Sequence, residues 1–422
     1  MITDVSTVSP MLERAVAGGE HRAPRPYDYA LLLATFALMG LGVVMVYSSS
    51  AAIAETRFKD PAYFLTRHLI YLAGSVVSLI VGMSVCYKRY QQYVYWLLGG
   101  SIVLMMLVLV PGVGVTIGRS TRWFRVLWFT FQPSELVKVT FIMYLSYSLA
   151  KKSAEKIKTF SIGFLPHVLV CGIIVFLCLF QPDFGTSLIL ALMLFSLLFI
   201  AGTKVSYLVL AFFVAIPFVI RAITSSTMRY NRVLAFLDPW AMRWTHGFQT
   251  VASLTAVGSG HWTGLGLGNG RQKLGHIPTP QTDFIFPIIG EELGFFGVCL
   301  VIGLFALILW RGIAIAYRCK DEFGRYLAFG LTMLISAQAL IHMGVAMNLL
   351  PTKGLTLPFV SFGGSSLMLS AFTVGVLLNI SKYNENPIPS DLLTQIKQKD
   401  KKFRRPRKTK VTRKTESERS PA

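Results

Sequence analysis

Residues 276–292 read His-Ile-Pro-Thr-Pro-Gln-Thr-Asp-Phe-Ile-Phe-Pro-Ile-Ile-Gly-Glu-Glu, where a long polar loop passes into an apolar run that reaches residue 310. Asp283 stands at the seam. A carboxylate at the mouth of a membrane helix bears a desolvation cost, which makes it a candidate functional residue with a cationic partner to be found.

The apolar run after the seam is one of many. Of 422 residues, 53% are hydrophobic and 14% charged, and the mean hydropathy is +0.56, too apolar for a soluble domain. Runs long enough to span a bilayer lie near 28–50, 65–86, 92–111, 134–150, 163–180, 184–202, 205–222, 284–310, 324–349 and 360–381. They predict an all-α integral membrane protein with about ten transmembrane helices and a large extracytoplasmic loop, 223–283, between helices 7 and 8. A β-barrel is excluded, because it needs alternating segments of about ten residues rather than unbroken apolar runs.

Charge sets the expected orientation. Lys88, Arg89, the run Lys151 to Lys158, Lys204, Arg311, Arg318, Lys320, Arg325 and the basic tail fall on one side of this scheme, which is therefore cytoplasmic. The net charge of +21 is concentrated in these short connections and after residue 381. That distribution suits anionic headgroups rather than a nucleic acid. Residues 1–27 lack the apolar stretch of a signal peptide and read as a disordered cytoplasmic extension. Residues 28–381 form the membrane domain, and 382–422 a basic, disordered cytoplasmic tail. The five cysteines show no ligand-like spacing and read as packing residues.

Two loops on the translocated side break the charge rule. The 112–133 loop carries Arg119, Arg122 and Arg125 among aromatic residues, and 223–283 carries Arg229, Arg232, Arg243, Arg271 and Lys273. Phosphates would account for such cations, as would lipid headgroups. Gln132-Pro133-Ser134-Glu135 opens a helix with proline and an acid in its first turn. Lys138, a turn further on, shares a face with Glu135 and suggests an intramembrane pair. Asp183 opens another helix, where capping alone explains it. Glycines from Gly258 to Gly270 indicate tight turning or close backbone approach. Residues 351–366, with two prolines, three glycines and Lys353, predict non-helical backbone at membrane depth, tolerated only inside protein or a wet cavity. His342 reads as a core histidine.

Together these motifs resemble the SEDS (FtsW/RodA) family of peptidoglycan glycan-strand polymerases. The likeness lies in Arg122-Trp123 with Phe131 to Glu135, Pro182 to Gly185, Asp238-Pro239, Gly264 to Gly268, Thr282 to Phe286, Gly290 to Gly294 and Leu350 to Ser366. Leu350-Pro351-Thr352-Lys353-Gly354 is similar to the division-type branch rather than the elongation type.

The resemblance implies polymerisation of lipid II at the outer face of the inner membrane by inverting transfer, with release of undecaprenyl pyrophosphate during septal cell-wall synthesis. Asp283 corresponds to the family's catalytic carboxylate. Arg119, Arg122, Lys138 and Lys353 are the candidates for the pyrophosphate, with or without a divalent cation such as Mg or Mn. Gln132, Ser134, Glu135, Asp183, Ser361, Gly363, Gly364 and Ser365 complete the expected substrate-binding set. A class B penicillin-binding transpeptidase and other division-complex membrane proteins are the implied partners. A lipid II flippase and a non-catalytic division scaffold are the competing readings. Thr279, Gln281, His261 and Phe362 depart from the family's usual Glu, His, Gly and Tyr, so no role carries over to those side chains.

Overall fold

The computed structural model describes residues 27–385 apart from 118–119, 127–128, 276 and 278. Arg119, most of the N-terminal extension and nearly all of the basic tail lie outside the described residues.

Three helices, α1 (Tyr29–Phe58), α2 (Tyr63–Ser84) and α3 (Tyr87–Val108), lead to three short strands, β1 (Val115–Ile117), β2 (Ser120–Val126) and β3 (Phe129–Phe131). There follow α4 (Pro133–Ala150), the short α5 (Ala154–Ile157), a π turn at Phe160–Phe164 running into α6 (Leu165–Phe180), α7 (Phe184–Ile200) and α8 (Val205–Thr224). The long loop folds as α9 (Thr227–Leu237) and α10 (Phe248–Ser259), and the chain ends with α11 (Ile285–Arg318), α12 (Glu322–Ala346) and α13 (Gly364–Glu385). Among these, 8 helices are long and apolar enough to cross a membrane. Of the remaining long helices, α4 carries Glu135 and Lys138 in its first two turns and α7 is shorter, at 17 residues. The chain is thus a mostly helical, multi-pass membrane protein.

The ends of the helices differ from the apolar runs for local reasons. α1 continues past residue 50 because Ala51, Ala52 and Ala54 are good helix formers, and it stops where Lys59 turns left-handed at φ 60°. The last helix begins at Gly364, because residues 351–363 stay irregular as their prolines and glycines require. The 112–133 strip forms an antiparallel meander with strand order β1-β2-β3. In a strand, residues three apart face opposite ways, so Arg122 turns toward the bundle while Arg125 stays exposed.

α12 is the axis of the bundle. In its most apolar stretch 78% of residues are buried, against 6% for α8, whose apolar surface is left to lipid. Helix α11 is not one continuous helix. It breaks at Gly294 (φ 66°, ψ −161°), a conformation open essentially to glycine alone. The break lets the glycine-rich loop dock on it: Leu265 N–H donates to Glu291 O (2.9 Å) and Gly266 N–H to Glu292 O (3.1 Å). A Cβ on Gly294 would lie 2.3 Å from Gly264 N, so no side chain fits there.

The two acids before the break hold the loop from within. Glu291 accepts from Arg271 N (2.7 Å), and Glu292 takes Lys273 Nζ (2.6 Å), Ser48 Oγ of α1 and Gly268 N (3.1 Å). Lys273 and Glu292 are both buried. Removing one partner of such a pair strands a charge and costs about 3–5 kcal/mol. Lys273→Met is therefore expected to lower the thermal unfolding temperature in detergent sharply. Lys88→Met, which breaks the partly exposed Lys88–Asp321 bridge, is expected to cost about 1 kcal/mol or less.

Candidate active site

Asp283 sits just before α11, half-buried, against the irregular 351–363 strip: a Cβ on Gly354 would be 3.1 Å from its Oδ2. Among the described residues its carboxylate accepts no hydrogen bond and has no cation within 4.0 Å. Burial pushes the carboxyl up to about 6, against the pull of the Arg122 and Arg232 guanidiniums that face it. Desolvation thus outweighs two opposite charges, which leaves the group titrating closer to neutral pH than an ordinary carboxylate.

Arg122 is held by the head of α7. Its Nη1 lies 3.4 Å from Asp183 Oδ1 and its guanidinium 4.7 Å from the Trp123 ring centroid, while its Nε is buried without a partner. Asp183 is fully engaged: it caps α7 through Thr186 N (3.1 Å) and Thr186 Oγ1 (2.9 Å), and accepts from Ser134 Oγ (3.0 Å) and Gln132 Nε2 (3.1 Å). Such a saturated carboxylate has no capacity left for a ligand. Its work is to aim Arg122, whose remaining donors stay free for an anion.

Lys353 Nζ lies 5.2 Å from the Phe184 ring centroid, and Arg229 approaches the same ring at 5.6 Å. Burial holds the Lys353 ammonium below its ordinary pKa, and likewise Arg232, whose guanidinium Asp283 pulls back up. These cations surround one end of the bundle, at the mouth where Asp283 lies.

Other residues singled out in the sequence fall into two groups. Gln132 N donates to Ser365 Oγ (3.3 Å), and Ser361 Oγ donates to Thr282 O (2.7 Å), so both serines fasten the site's backbone. Gly363 and Gly364 pack against Thr356 and the Tyr71 ring, with no room for a side chain at Gly364 without displacing that ring. Glu135 and Lys138 do form a buried pair, at 2.8 Å, and Lys138 also donates to Gln338 Oε1 (3.1 Å). The geometry puts this pair inside the bundle, tied to α12 through Gln338.

Sequence reasoning left Arg232 out of the site, although its place on the translocated side, against the charge rule, was the signal. Lys273, noted for the same reason, turns out to serve Glu292. Gln338 carried no signal. Among the described residues no three His, Cys, Asp or Glu side chains converge, so those present do not build a protein-only metal cage.

The family model described as cell cycle protein, FTSW_RODA_SPOVE, matches residues 29–386. The chain belongs to this family. A relative from Trichlorobacter lovleyi, named probable peptidoglycan glycosyltransferase FtsW, is 44% identical over 355 residues, covering 84% of this chain and 93% of the relative. Among solved structures, a chain from "Structural coordination of polymerization and crosslinking by a peptidoglycan synthase complex" superposes with a TM-score of 0.72 at 28% identity, over 85% of this chain and 99% of that one. The crystal structure of Thermus thermophilus rod shape determining protein RodA gives 0.63 at 26% identity, over 85% and 97%. Across this FtsW/RodA membrane domain the match runs from the start of α1 to the end of α13.

The raised carboxyl has a consequence for stability. Asp283 binds its proton more readily folded than unfolded, so its favourable contribution is complete below the ordinary carboxylate pKa and is lost as pH rises through about 6. Asp283→Asn, a neutral isostere, is expected to unfold at a higher temperature than the parent at about pH 7.5, with the gain shrinking below about pH 6. Thermal unfolding in detergent across that range checks it.

Proposed function

We propose that this chain is a peptidoglycan glycosyltransferase that polymerises lipid II into glycan strands during septal wall synthesis. The observation that carries the reading is the Asp283 carboxyl, half-buried, free of direct hydrogen bonds among the described residues and raised to about 6. A base of that strength accepts a proton well near neutral pH. The names of the FtsW relatives and the peptidoglycan synthase complex among the structural matches support the same activity.

In the reaction, the acceptor sugar hydroxyl gives its proton to Asp283 as its oxygen attacks the donor's anomeric carbon. The bond from that carbon to the pyrophosphate oxygen breaks on the opposite face, and the configuration inverts. Undecaprenyl pyrophosphate departs with its charge, which Arg122, with its unspent Nε, Arg232 and Lys353 are placed to stabilise. The proposed chemistry uses these cations of the chain itself.

The topology we propose has ten crossings, α4 and α7 included, with the site at the outer face. Tyr27 and Lys382 meet at the other end (5.5 Å), beside the Asp28–Arg311 bridge (2.7 Å). The basic connections at Lys88, Lys151, Lys152 and Lys204 join alternate helices to that end, which supports cytoplasmic termini. A class B penicillin-binding transpeptidase is the proposed partner, and the division septum the proposed site of action.

Purified protein with labelled lipid II is expected to make glycan strands, and Asp283→Asn to abolish them while the fold survives. Normal polymerisation by Asp283→Asn would overturn the assignment. In the parent, kcat/KM is expected to fall tenfold per pH unit below an apparent pKa near 6, because only the carboxylate acts as base.

A further inference from the structure

The strip that backs Asp283 is held by two side chains one turn apart on α12. Gln338 Nε2 donates to Thr356 O at 3.1 Å, and His342 Nδ1 meets Leu355 O at 2.6 Å. A carbonyl only accepts, so Nδ1 carries the imidazole's proton and donates it. The two carbonyls are successive yet both reach the same helix, so the backbone here departs from a regular extended strand, with Leu355 N turned back onto Lys353 O (3.1 Å). Capturing both from one helix fixes the strip's height along α12 and also its twist about its own axis.

The strip then reaches the seam. Leu357 N donates to Ser361 Oγ (2.9 Å), Ser361 Oγ donates to Thr282 O (2.7 Å), and Phe362 N donates to Gln281 O (2.8 Å). Thr356 Oγ1 pairs with Ser366 Oγ at 2.9 Å. One end of this connected set is α12, the other the two residues before Asp283. Gly354, immediately before the first clipped residue, closes on the carboxylate.

His342 Nε2 is buried and has no partner among the described residues. An unpaired buried polar atom costs stability, and a leucine would fill the space without that cost. What a leucine lacks is the Nδ1 proton on Leu355 O.

We propose that Gln338 and His342 act as positioning residues for Asp283: by clipping the carbonyls of Thr356 and Leu355 they hold Gly354 against its carboxylate and keep water from that side. The proposal deepens the reading of Asp283 as the general base and rests on it for its kinetic consequence. The charged groups around Asp283 are Arg122 on β2 and Arg232 on α9, with Asp183 bound to Arg122 and Lys353 next to Gly354. None is altered by the variants below.

The test uses the full chain in lipid nanodiscs, read in two ways: polymerisation kinetics with lipid II, and pH-difference infrared spectroscopy of the carboxyl band that Asp283→Asn removes. In His342→Leu the strip loosens and water reaches the carboxylate. Its titration midpoint is expected to move down from about 6 toward the ordinary carboxylate range. kcat is expected to drop about ten- to a hundredfold, as for a base displaced by an ångström, with KM within about twofold. In His342→Asn the amide nitrogen takes nearly the place of Nδ1, so both midpoint and kcat are expected to return toward the parent.

A midpoint unmoved in His342→Leu, whether or not activity falls, overturns the proposal, and so does a failure of His342→Asn to restore it. Should the leucine variant fail to fold, His342→Met, which also lacks the Nδ1 donor to Leu355 O, decides instead: its midpoint is expected to move down as for leucine, and an unmoved midpoint overturns the proposal. If Asp283→Asn polymerised normally, the general-base reading alone would fall, because the infrared midpoint does not depend on turnover.

Discussion

Non-helical backbone at membrane depth must find its hydrogen-bond partners within the protein or in a wet cavity. The 351–363 strip is under that constraint, and much of the structure around it meets the demand. α12 supplies side chains to Leu355 and Thr356, the seam supplies the carbonyls of Gln281 and Thr282, and Ser361 and Ser366 close the remaining turns. α1 lies so close behind that a Cβ on Gly42 would be 2.7 Å from Phe359 O. Because the strip is fastened on both sides, the residue that follows the seam has a defined place. A carboxylate held by main-chain bonds on either side of it can remain free of bonds itself.

That freedom is what separates Asp283 from the other acids of the bundle. Asp28 is bridged by Arg311, Glu135 by Lys138 and Glu292 by Lys273, Asp183 is saturated by five donors, and Glu291 takes backbone N–H groups. Buried charges are ordinarily paired in this way. Asp283 has its two cations near but not in contact, so burial outweighs their pull and its carboxyl titrates high. A direct bridge to Arg122 would make a stronger fold and a weaker base. Asp183 prevents it by drawing the guanidinium to itself.

The membrane class, the approximate spans and the seam were legible in the sequence because they rest on long apolar runs and on a charge out of place. Arg122 was legible as a cation against the charge rule and the Glu135–Lys138 pair as two charges on one helical face inside an apolar run, whereas Asp183 read as a cap and its hold on Arg122 was not legible. Nor was the clip. Gln338 and His342 sit four apart on a helix buried on nearly every face, so no period distinguishes the side toward the strip from the side toward α4. The meander at 115–131 was hidden too, because its mixed aromatic and basic residues serve an interfacial strip as well as a half-buried sheet.

The departures upstream of Asp283 show why main-chain attachment matters. Thr279 and Gln281 stand where the family usually has Glu and His, and a site built on side chains would be altered by that exchange. Here the bonds that place the seam use the carbonyls of Gln281 and Thr282 and the amide of Phe362, which any residue provides. The Gln281 Oε1 atom is itself buried without a partner, so its side chain adds nothing to the attachment. The same holds at Phe362, whose amide does the bonding while its ring packs edge-on against Phe64. Side-chain identity enters where a side chain reaches a carbonyl, at Gln338, His342 and Ser361, whereas the main-chain bonds at Gln281, Thr282 and Phe362 ask for no particular side chain.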